Sequence, residues 1–330
     1  MKNIIITGGA GYIGSHCVIS LIQNRFRPII IDNFSNSHPS VIKKLEMITK
    51  KNIIFYKADL RNKKKIKSIL KKNSCYAVIH CAGFKSLKES LEKPLTYFDN
   101  NIISTLSLLE CMQEKKIFKF IFSSSAMVYD YTQPSPWKEN TKIGNTYNSY
   151  GTTKYIIEKV LTDLAKSDYR WKISIARYFN PISNHSSGLI KENPKGIPNN
   201  LIPYIIQVAQ KKLPFLKIFG KNYPTKDGTC IRDYIHVMDV ANGHVAMLKK
   251  NKVKKNLNIY NFGTGKGSSV LEVIRAFEKK TGISIPFRFT KRRKGDAPTY
   301  FCNPKKAFKE LNWRANYNLE RAMIDIKKII

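Results

Sequence analysis

Tyr150 and Lys154 lie four residues apart in "NSYGTTKYIIEK", residues 148 to 159. A helix carries residues at that spacing on one face. An ammonium held beside a phenol favours the phenolate, so the pair can act as a base and the group that tunes it. Taken alone, such a pair is more often an exposed feature of a solvated helix. Upstream, "FKFIFSSSAMVY" ends an apolar run in three serines, the last being Ser125. Serines in that position also serve as plain turn formers. The framework around these residues decides between chemistry and the blander reading.

That framework begins at "TGGAGYIGSH", which follows a β-branched run and opens a helical pattern. Gly9, Gly11 and Gly14 satisfy G-x-G-x-x-G, and Gly8, Gly11 and Gly14 satisfy G-x-x-G-x-x-G. Such glycines let the backbone turn tightly and approach a pyrophosphate, whose charge sits at the helix N-terminus. Asp32 ends "IIID", 18 residues beyond Gly14. A carboxylate there accepts from a ribose diol and repels a 2′-phosphate, which favours NAD over NADP. At later strand ends, Asp59 can meet an adenine amino group, and the small pair Ala82–Gly83 lets a dinucleotide pass close to the backbone. Asn100, in "FDNN", supplies an amide able to tie the cofactor to the sheet. In that setting Ser125, Tyr150 and Lys154 form a hydride-transfer site. The phenolate takes a hydroxyl proton as hydride leaves the same carbon. Lys154 and a cationic nicotinamide ring both lower the tyrosine pKa; bringing it from about 10 to near 7 takes roughly 4 kcal/mol.

Positioning these residues requires alternating strands and helices. The runs "NIIIT", "RPIIID", "NIIFYKAD", "YAVIHCA", "FKFIFSSS" and "KISIARYF" read as buried parallel strands, with helical patterns at residues 12–24, 39–50, 62–72, 94–115 and 149–166. The fold class is α/β: a doubly wound parallel (Rossmann) sheet with a smaller C-terminal α/β substrate domain. After Pro181 the chain becomes rich in Gly, Pro and Asn. The expected division is 1–180 for a dinucleotide domain and 181–330 for a substrate domain, whose segments interleave with the first.

Composition narrows the class. At 330 residues with 42% hydrophobic content the chain can bury a real core. No apolar run approaches the roughly 18 residues of a membrane span. Met1 leads directly into "KNIIITGG", leaving no room for a signal peptide, so a cytoplasmic protein is expected. Six scattered cysteines without C-x-x-C spacing read as buried thiols in a reducing compartment, and no metal site is expected. The formal charge of +35 raises nucleic-acid binding as a possibility. The lysines are dispersed, however, and accompanied by abundant Ile and Asn, so composition bias on a tolerant surface is preferred and no specific nucleic-acid partner is expected.

Beyond the glycine turn, the S–YxxxK set and "CAG" resemble the extended short-chain dehydrogenase/reductase superfamily. "RYFNP", "GIPNNLIPYIIQVA", "IFGKNYPTKDGTCIRDYIHVMDVANGH" and "RRKGDAPTYF" narrow the resemblance to the UDP-glucose 4-epimerase family along essentially the whole chain. The resemblance implies NAD contacts at Tyr12, Ile13, Asp32, Asn33, Phe34, Ser35, Asn36, Ser37, Asp59, Leu60, Cys81, Ala82, Gly83, Phe84, Lys85, Asn100, Lys154 and Phe179. It assigns Ser125 and Tyr150 to the sugar 4-hydroxyl. Nucleotide-sugar contacts are implied at Asn180, Asn200, Leu201, Lys217, Ile218, Phe219, Arg232, Arg293, Lys294, Gly295, Asp296 and Tyr300. The two arginines suit a diphosphate, because guanidinium makes permanently charged, bidentate contacts. A tyrosine at position 300 implies exclusion of N-acetylated sugars. The implied activity interconverts UDP-galactose and UDP-glucose through a 4-ketopyranose that rotates in the site, and the implied assembly is a homodimer.

Met127 stands where the family carries a small hydroxylated residue, and Asp130 where it carries glycine. A nucleotide-sugar 4,6-dehydratase would share fold and cofactor but needs an acid–base pair just after the serine. Ala126 and Met127 cannot transfer a proton. A non-catalytic NAD-binding regulator is the other alternative, and such a protein has no need of both Tyr150 and Lys154.

Overall fold

Successive residues of a strand point to opposite faces, and in "NIIIT" both faces are apolar. Ile4 and Ile6 pack in one layer with Cys17, Val18 and Leu21, whereas Ile5 packs in the other with Ile66, Leu108 and Leu161. The computed structural model describes all residues except 194–197, 199, 251–254 and 294–295. This two-sided burial organises its larger part.

The chain runs β1 (Asn3–Thr7), α1 (Tyr12–Gln23), β2 (Arg27–Asp32), α2 (Ser40–Thr49), β3 (Ile54–Lys57), α3 (Lys63–Lys72), β4 (Cys75–His80), α4 (Leu87–Glu92), α5 (Pro94–Phe98), α6 (Ser104–Glu114), β5 (Lys119–Ser125), α7 (Ser149–Ser167) and β6 (Lys172–Tyr178). It continues through β7 (Asn180–Ile182), α8 (Leu201–Ala209), β8 (Leu216–Phe219), β9 (Ile231–Arg232), β10 (Tyr234–His236), α9 (Val237–Lys249), β11 (Leu257–Phe262), β12 (Ser268–Ser269), α10 (Val270–Thr281), β13 (Phe287–Thr290), β14 (Thr299–Tyr300), α11 (Lys305–Leu311) and α12 (Leu319–Lys327). The main sheet has the order β11-β6-β5-β4-β1-β2-β3 and is parallel throughout. Strand order reverses between β1 and β4, which opens a crevice at their carboxyl ends.

All six apolar runs form strands. The helical stretch expected at residues 94–115 is instead α5 and α6 joined by a π-helical turn, Asp99–Ile103. Such turns insert a residue into the helical ladder and concentrate at functional sites. The later part of the chain also returns to the main sheet. "LNIYNF" becomes β11, paired with β6, and α9 packs beside α1 through Val240, Ala241 and Val245. The rest of that part builds its own core from α8, β8, α10 and α12, centred on Ile205, Ile218, Phe277 and Met323. Small sheets β7–β10, β8–β13 and β12–β9–β14 join this unit together. No helix among the described residues is long and apolar enough to cross a membrane.

Candidate functional site

The crevice is floored by the glycine turn. Gly8 has φ +67, and a Cβ there would lie 2.7 Å from the Ala82 nitrogen, where the ends of β1 and β4 abut. A Cβ on Gly14 would sit 2.2 Å from the Gly8 carbonyl oxygen, so this glycine closes the turn on itself. Gly11 differs: its Cβ would meet only the Gly8 oxygen, at 3.2 Å. Gly11 caps α1 with no side-chain bond, and the first turn holds no acidic residue. The free N–H groups and open side suit a phosphate. Tyr12 is tied down by its hydroxyl, which donates to the Ser183 carbonyl at 2.7 Å.

Asp32 fits the ribose assignment. Its buried carboxylate accepts from Ala10 N (3.0 Å), Phe34 N (2.9 Å) and Ser37 Oγ (2.9 Å). A carboxylate offers about four acceptor sites, so one remains for a hydroxyl. Among the described residues no basic side chain forms an ion pair with it. Asn33, Ser35 and Asn36 continue the same loop. Asp59 is engaged by the Arg61 guanidinium, which holds its carboxyl down at about 2. Leu60 lies in the apolar core, leaving only its backbone to meet a ligand.

The three serines of β5 divide their work by strand alternation. Ser123 Oγ meets His244 Nε2 at 2.9 Å, while Ser124 Oγ donates to Glu158 Oε1 of α7 at 2.5 Å. Ser125, at the strand end, accepts from Met127 N at 3.2 Å. Asn148 caps α7, with its side chain accepting from Gly151 N at 2.8 Å, and Gly151 allows the helix to approach the Met127 carbonyl. That approach brings Tyr150 and Lys154 to Ser125. The Lys154 ammonium donates to the Ser123 carbonyl at 2.8 Å and lies 5.9 Å from the Tyr150 ring centroid. Burial pushes Lys154 down to about 8.

The expectation that Lys154 lowers the tyrosine pKa is not met by the protein's own groups. Burial pushes Tyr150 up to about 12, opposed by its hydrogen bond with Ser125. The physical reason is geometric: the ammonium is committed to a carbonyl and faces the ring rather than the hydroxyl.

Asn100 has a neighbour that sequence reasoning missed. Buried Asn101 receives Phe84 N at 2.8 Å and donates to the Phe84 carbonyl (3.0 Å) and Thr153 Oγ1 (3.1 Å). It thus fixes the loop of Gly83, Phe84 and Lys85 to α7. Asn100 donates to Asn101 Oδ1 at 3.0 Å. Lys85 pairs with Glu192 across the crevice, and the Asn200 amide reaches the same Glu192 at 3.3 Å.

On the opposite side stands an aromatic wall. Tyr300 stacks on Trp137 (centroids 5.1 Å, interplanar 7°), and Phe179 lies 6.2 Å from Tyr300. The Arg232 guanidinium sits 4.2 Å from the Tyr300 ring centroid and bonds Asp296 Oδ1 at 2.8 Å. Arg232 therefore already has a carboxylate partner, which its sequence context did not reveal. Arg293 covers the Phe219 ring at 3.9 Å. Asn180 Oδ1 is buried and accepts no hydrogen bond from the described residues, which suits it to a ligand hydroxyl. Ile218 belongs to the second core, Lys217 is exposed, and Leu201 packs at the core's edge. Lys294 and Gly295 lie outside the described residues. Asp130, in place of glycine, anchors its loop by accepting from Thr132 N, Thr132 Oγ1 and Asn145 Nδ2.

This arrangement has counterparts among known proteins. The family described as GDP-mannose 4,6 dehydratase matches residues 5–326. The UDP-glucose 4-epimerase of Bacillus subtilis is 47% identical over 322 residues, covering 98% of this chain and 95% of the relative. A crystal structure of UDP-glucose 4-epimerase from Stenotrophomonas maltophila, with bound NAD and formylated UDP-arabinopyranose, superposes with a TM-score of 0.97 at 42% identity, covering 100% of this chain and 98% of that one. The enzyme from Bifidobacterium longum in complex with NAD+ and UDP gives 0.95 at 42% identity, covering 99% of this chain and 98% of that one. Ala126 and Met127, following Ser125, lack the proton-transfer groups that dehydration requires. Similarity over the full length decides the matter: the chain belongs to the UDP-glucose 4-epimerase family.

Proposed function

We propose that the protein interconverts UDP-galactose and UDP-glucose, using NAD held in the β1–β4 crevice. The observation that carries this reading is the convergence of Ser125, Tyr150 and Lys154 at the end of β5. When bound, NAD would supply the hydride acceptor and donor for the sugar C4, so that a 4-ketopyranose would lie between the two sugars. Gly8, Gly11, Gly14 and Asp32 would hold its pyrophosphate and ribose, while Ala82, Gly83 and Asn100 border its path. Tyr150 takes the proton of the sugar 4-hydroxyl and gives it back, with Ser125 holding the same oxygen. A cationic ring supplies the lowering of the phenol that Lys154 alone does not. The main work of Lys154 is to hold a cofactor ribose hydroxyl.

The division of labour follows the chain: residues 1–180 carry the cofactor contacts, and residues 181–330 hold the UDP end of the sugar nucleotide. Arg232 and Arg293 bind that end firmly, with Asn180 at the boundary between the two parts, while the sugar end is left loose enough to turn over. This lets the returning hydride reach either face. A homodimer through helices of the first part is supported by exposed Leu91, Leu95 and Ile103 around α4, α5 and the π turn. A cytoplasmic location, without nucleic-acid or membrane partners, completes the reading. Purified protein supplied with UDP-galactose should form UDP-glucose, read by a coupled dehydrogenase. No conversion by NAD-loaded protein would refute the assignment.

A further inference from the structure

Behind the β5 end, three metal-ligating side chains from distant segments converge. Cys17 comes from α1, Cys81 from the end of β4 and His244 from α9, and their ligand atoms all lie within 4.8 Å of one another. From this convergence we infer that Cys17, Cys81 and His244 form a binding site for a thiophilic metal cation of the zinc, cadmium or copper(I) class. Two thiolates and one imidazole are a ligand set of that class, with a fourth position open. Metal–ligand bonds of about 2.0–2.3 Å put adjacent ligands roughly 3.5–3.8 Å apart, so closing the cluster needs shifts of about 1 Å or less.

The histidine is already oriented for the task. His244 Nδ1 bonds the Val240 carbonyl at 2.8 Å, and a carbonyl can only accept. The ring proton is therefore on Nδ1, and Nε2 presents a lone pair. A backbone carbonyl on the far nitrogen is the partner that fixes ligating histidines in metal sites. Nε2 currently meets Ser123 Oγ at 2.9 Å, and a cation would displace that hydroxyl. Binding releases the two thiol protons to solvent and changes no oxidation state. Cys81 is partly exposed, whereas Cys17 and His244 are fully buried.

Occupancy has a consequence for the neighbouring chemistry. The Ser123 carbonyl holds the Lys154 ammonium at 2.8 Å, so displacing the Ser123 hydroxyl and adding charge disturbs the lysine's seat. The site is inhibitory.

The test is a titration of reduced, NAD-loaded protein with cadmium ion alone, under anaerobic conditions. One saturable equivalent should appear as an ultraviolet thiolate-to-cadmium charge-transfer band. Turnover should fall with the same midpoint and recover on adding a chelator. Cys81→Ala and Cys17→Ala should each abolish the band, and Cys111→Ala should leave it intact. His244→Gln should weaken binding by at least about tenfold, since losing even the outer hydrogen-bond partner of a ligand costs about 10- to 100-fold. Circular dichroism checks folding, and if Cys17→Ala does not fold, the partly exposed Cys81→Ala decides. A band that survives both thiol variants, or no saturable band in the parent, overturns the proposal. The spectroscopic readout does not depend on the sugar-nucleotide activity, so the two readings fail separately.

Discussion

Tyr300 should decide which sugars enter. Its half-buried ring is held from both sides, stacked on Trp137 at 5.1 Å and covered by the Arg232 guanidinium at 4.2 Å. It cannot swing aside without losing a stacking contact of about 0.5–1.5 kcal/mol and a cation–π contact of about 0.5–2 kcal/mol. An acetamido group in place of a hydroxyl adds about three heavy atoms against that wall, and overpacking of this kind costs roughly 1–3 kcal/mol. The wild type should therefore use UDP-N-acetylglucosamine with a kcat/KM lower by about 5- to 150-fold than for the plain sugars. Tyr300→Cys removes about six heavy atoms, twice what the acetamido group adds, so space is sufficient even after partial collapse. The variant should lose most of the discrimination. It should also be less stable by roughly 1–3 kcal/mol through the lost contacts. Steady-state kinetics with both sugar pairs, alongside a melting curve, reads both effects. Equal kcat/KM for acetylated and plain sugars in the wild type would refute the wall argument. So would a Tyr300→Cys variant that folds and discriminates as before.

Three further outcomes are expected. Tyr150→Phe should keep NAD and UDP affinity but lose about 10²- to 10⁴-fold in turnover; near-normal turnover would remove Tyr150 as the base. Lys154→Met should inactivate yet stabilise. Burial lowers the folded-state lysine to about 8 from the ordinary 10.5, so below pH 8 the full penalty of a buried charge is present in the wild type. Between pH 8 and 10.5 the folded lysine sheds its proton while the unfolded one keeps it, and wild-type stability rises. The variant's advantage, roughly 1–2 kcal/mol at pH 7 after the lost Ser123 bond, should shrink over that window; an advantage independent of pH would contradict this account. Glu158→Ala should destabilise by about 3–5 kcal/mol, since it strands buried Arg177, whose guanidinium bonds Glu158 at 2.6 Å. A drop below about 1 kcal/mol in a chemical denaturation series would mean that water or the Glu139 carbonyl compensates.

The parts of the site that the sequence makes legible are those written in adjacent residues. A β-branched run, a glycine turn and a carboxylate one strand later specify strand, turn and ribose acceptor because each constraint is local. The Tyr150–Lys154 pair is legible for the same reason. What stays hidden depends on distance or on a one-residue shift. Asn100 and Asn101 are chemically identical, and a π turn decides which is buried; helical periodicity alone does not place that insertion. β11 escapes notice because its buried Asn258 and Asn261 look like polar interruptions, although Asn261 accepts from the Tyr129 hydroxyl at 2.6 Å and donates to the Trp137 carbonyl. Arg232 reads as a free diphosphate ligand until its carboxylate partner, 64 residues away, comes into view. Cys17, Cys81 and His244 are scattered in sequence and meet only after the sheet is assembled.

That last class explains why the sheet itself must be rigid. Tyr150 is raised to about 12 and Lys154 lowered to about 8, both by burial, so ionising the phenol and keeping the ammonium each cost more here than in water. Neither penalty is offset within the pair, because the ammonium bonds a carbonyl and not the phenol. The compensation lies one layer deeper. Ser124 and Arg177 converge on Glu158, a turn of helix beyond Lys154, and clamp α7 against β5 and β6. Asn101 clamps the same helix to the loop after β4 through Thr153. These buried polar bonds contribute most where their geometry is complete, and they fix the start of α7 from two directions. The buried ammonium can then be held in place while the backbone that carries it does not move. A looser α7 would let Tyr150 and Lys154 relax toward solvent and regain ordinary pKa values, which would relieve the buried ammonium but take the phenol away from Ser125.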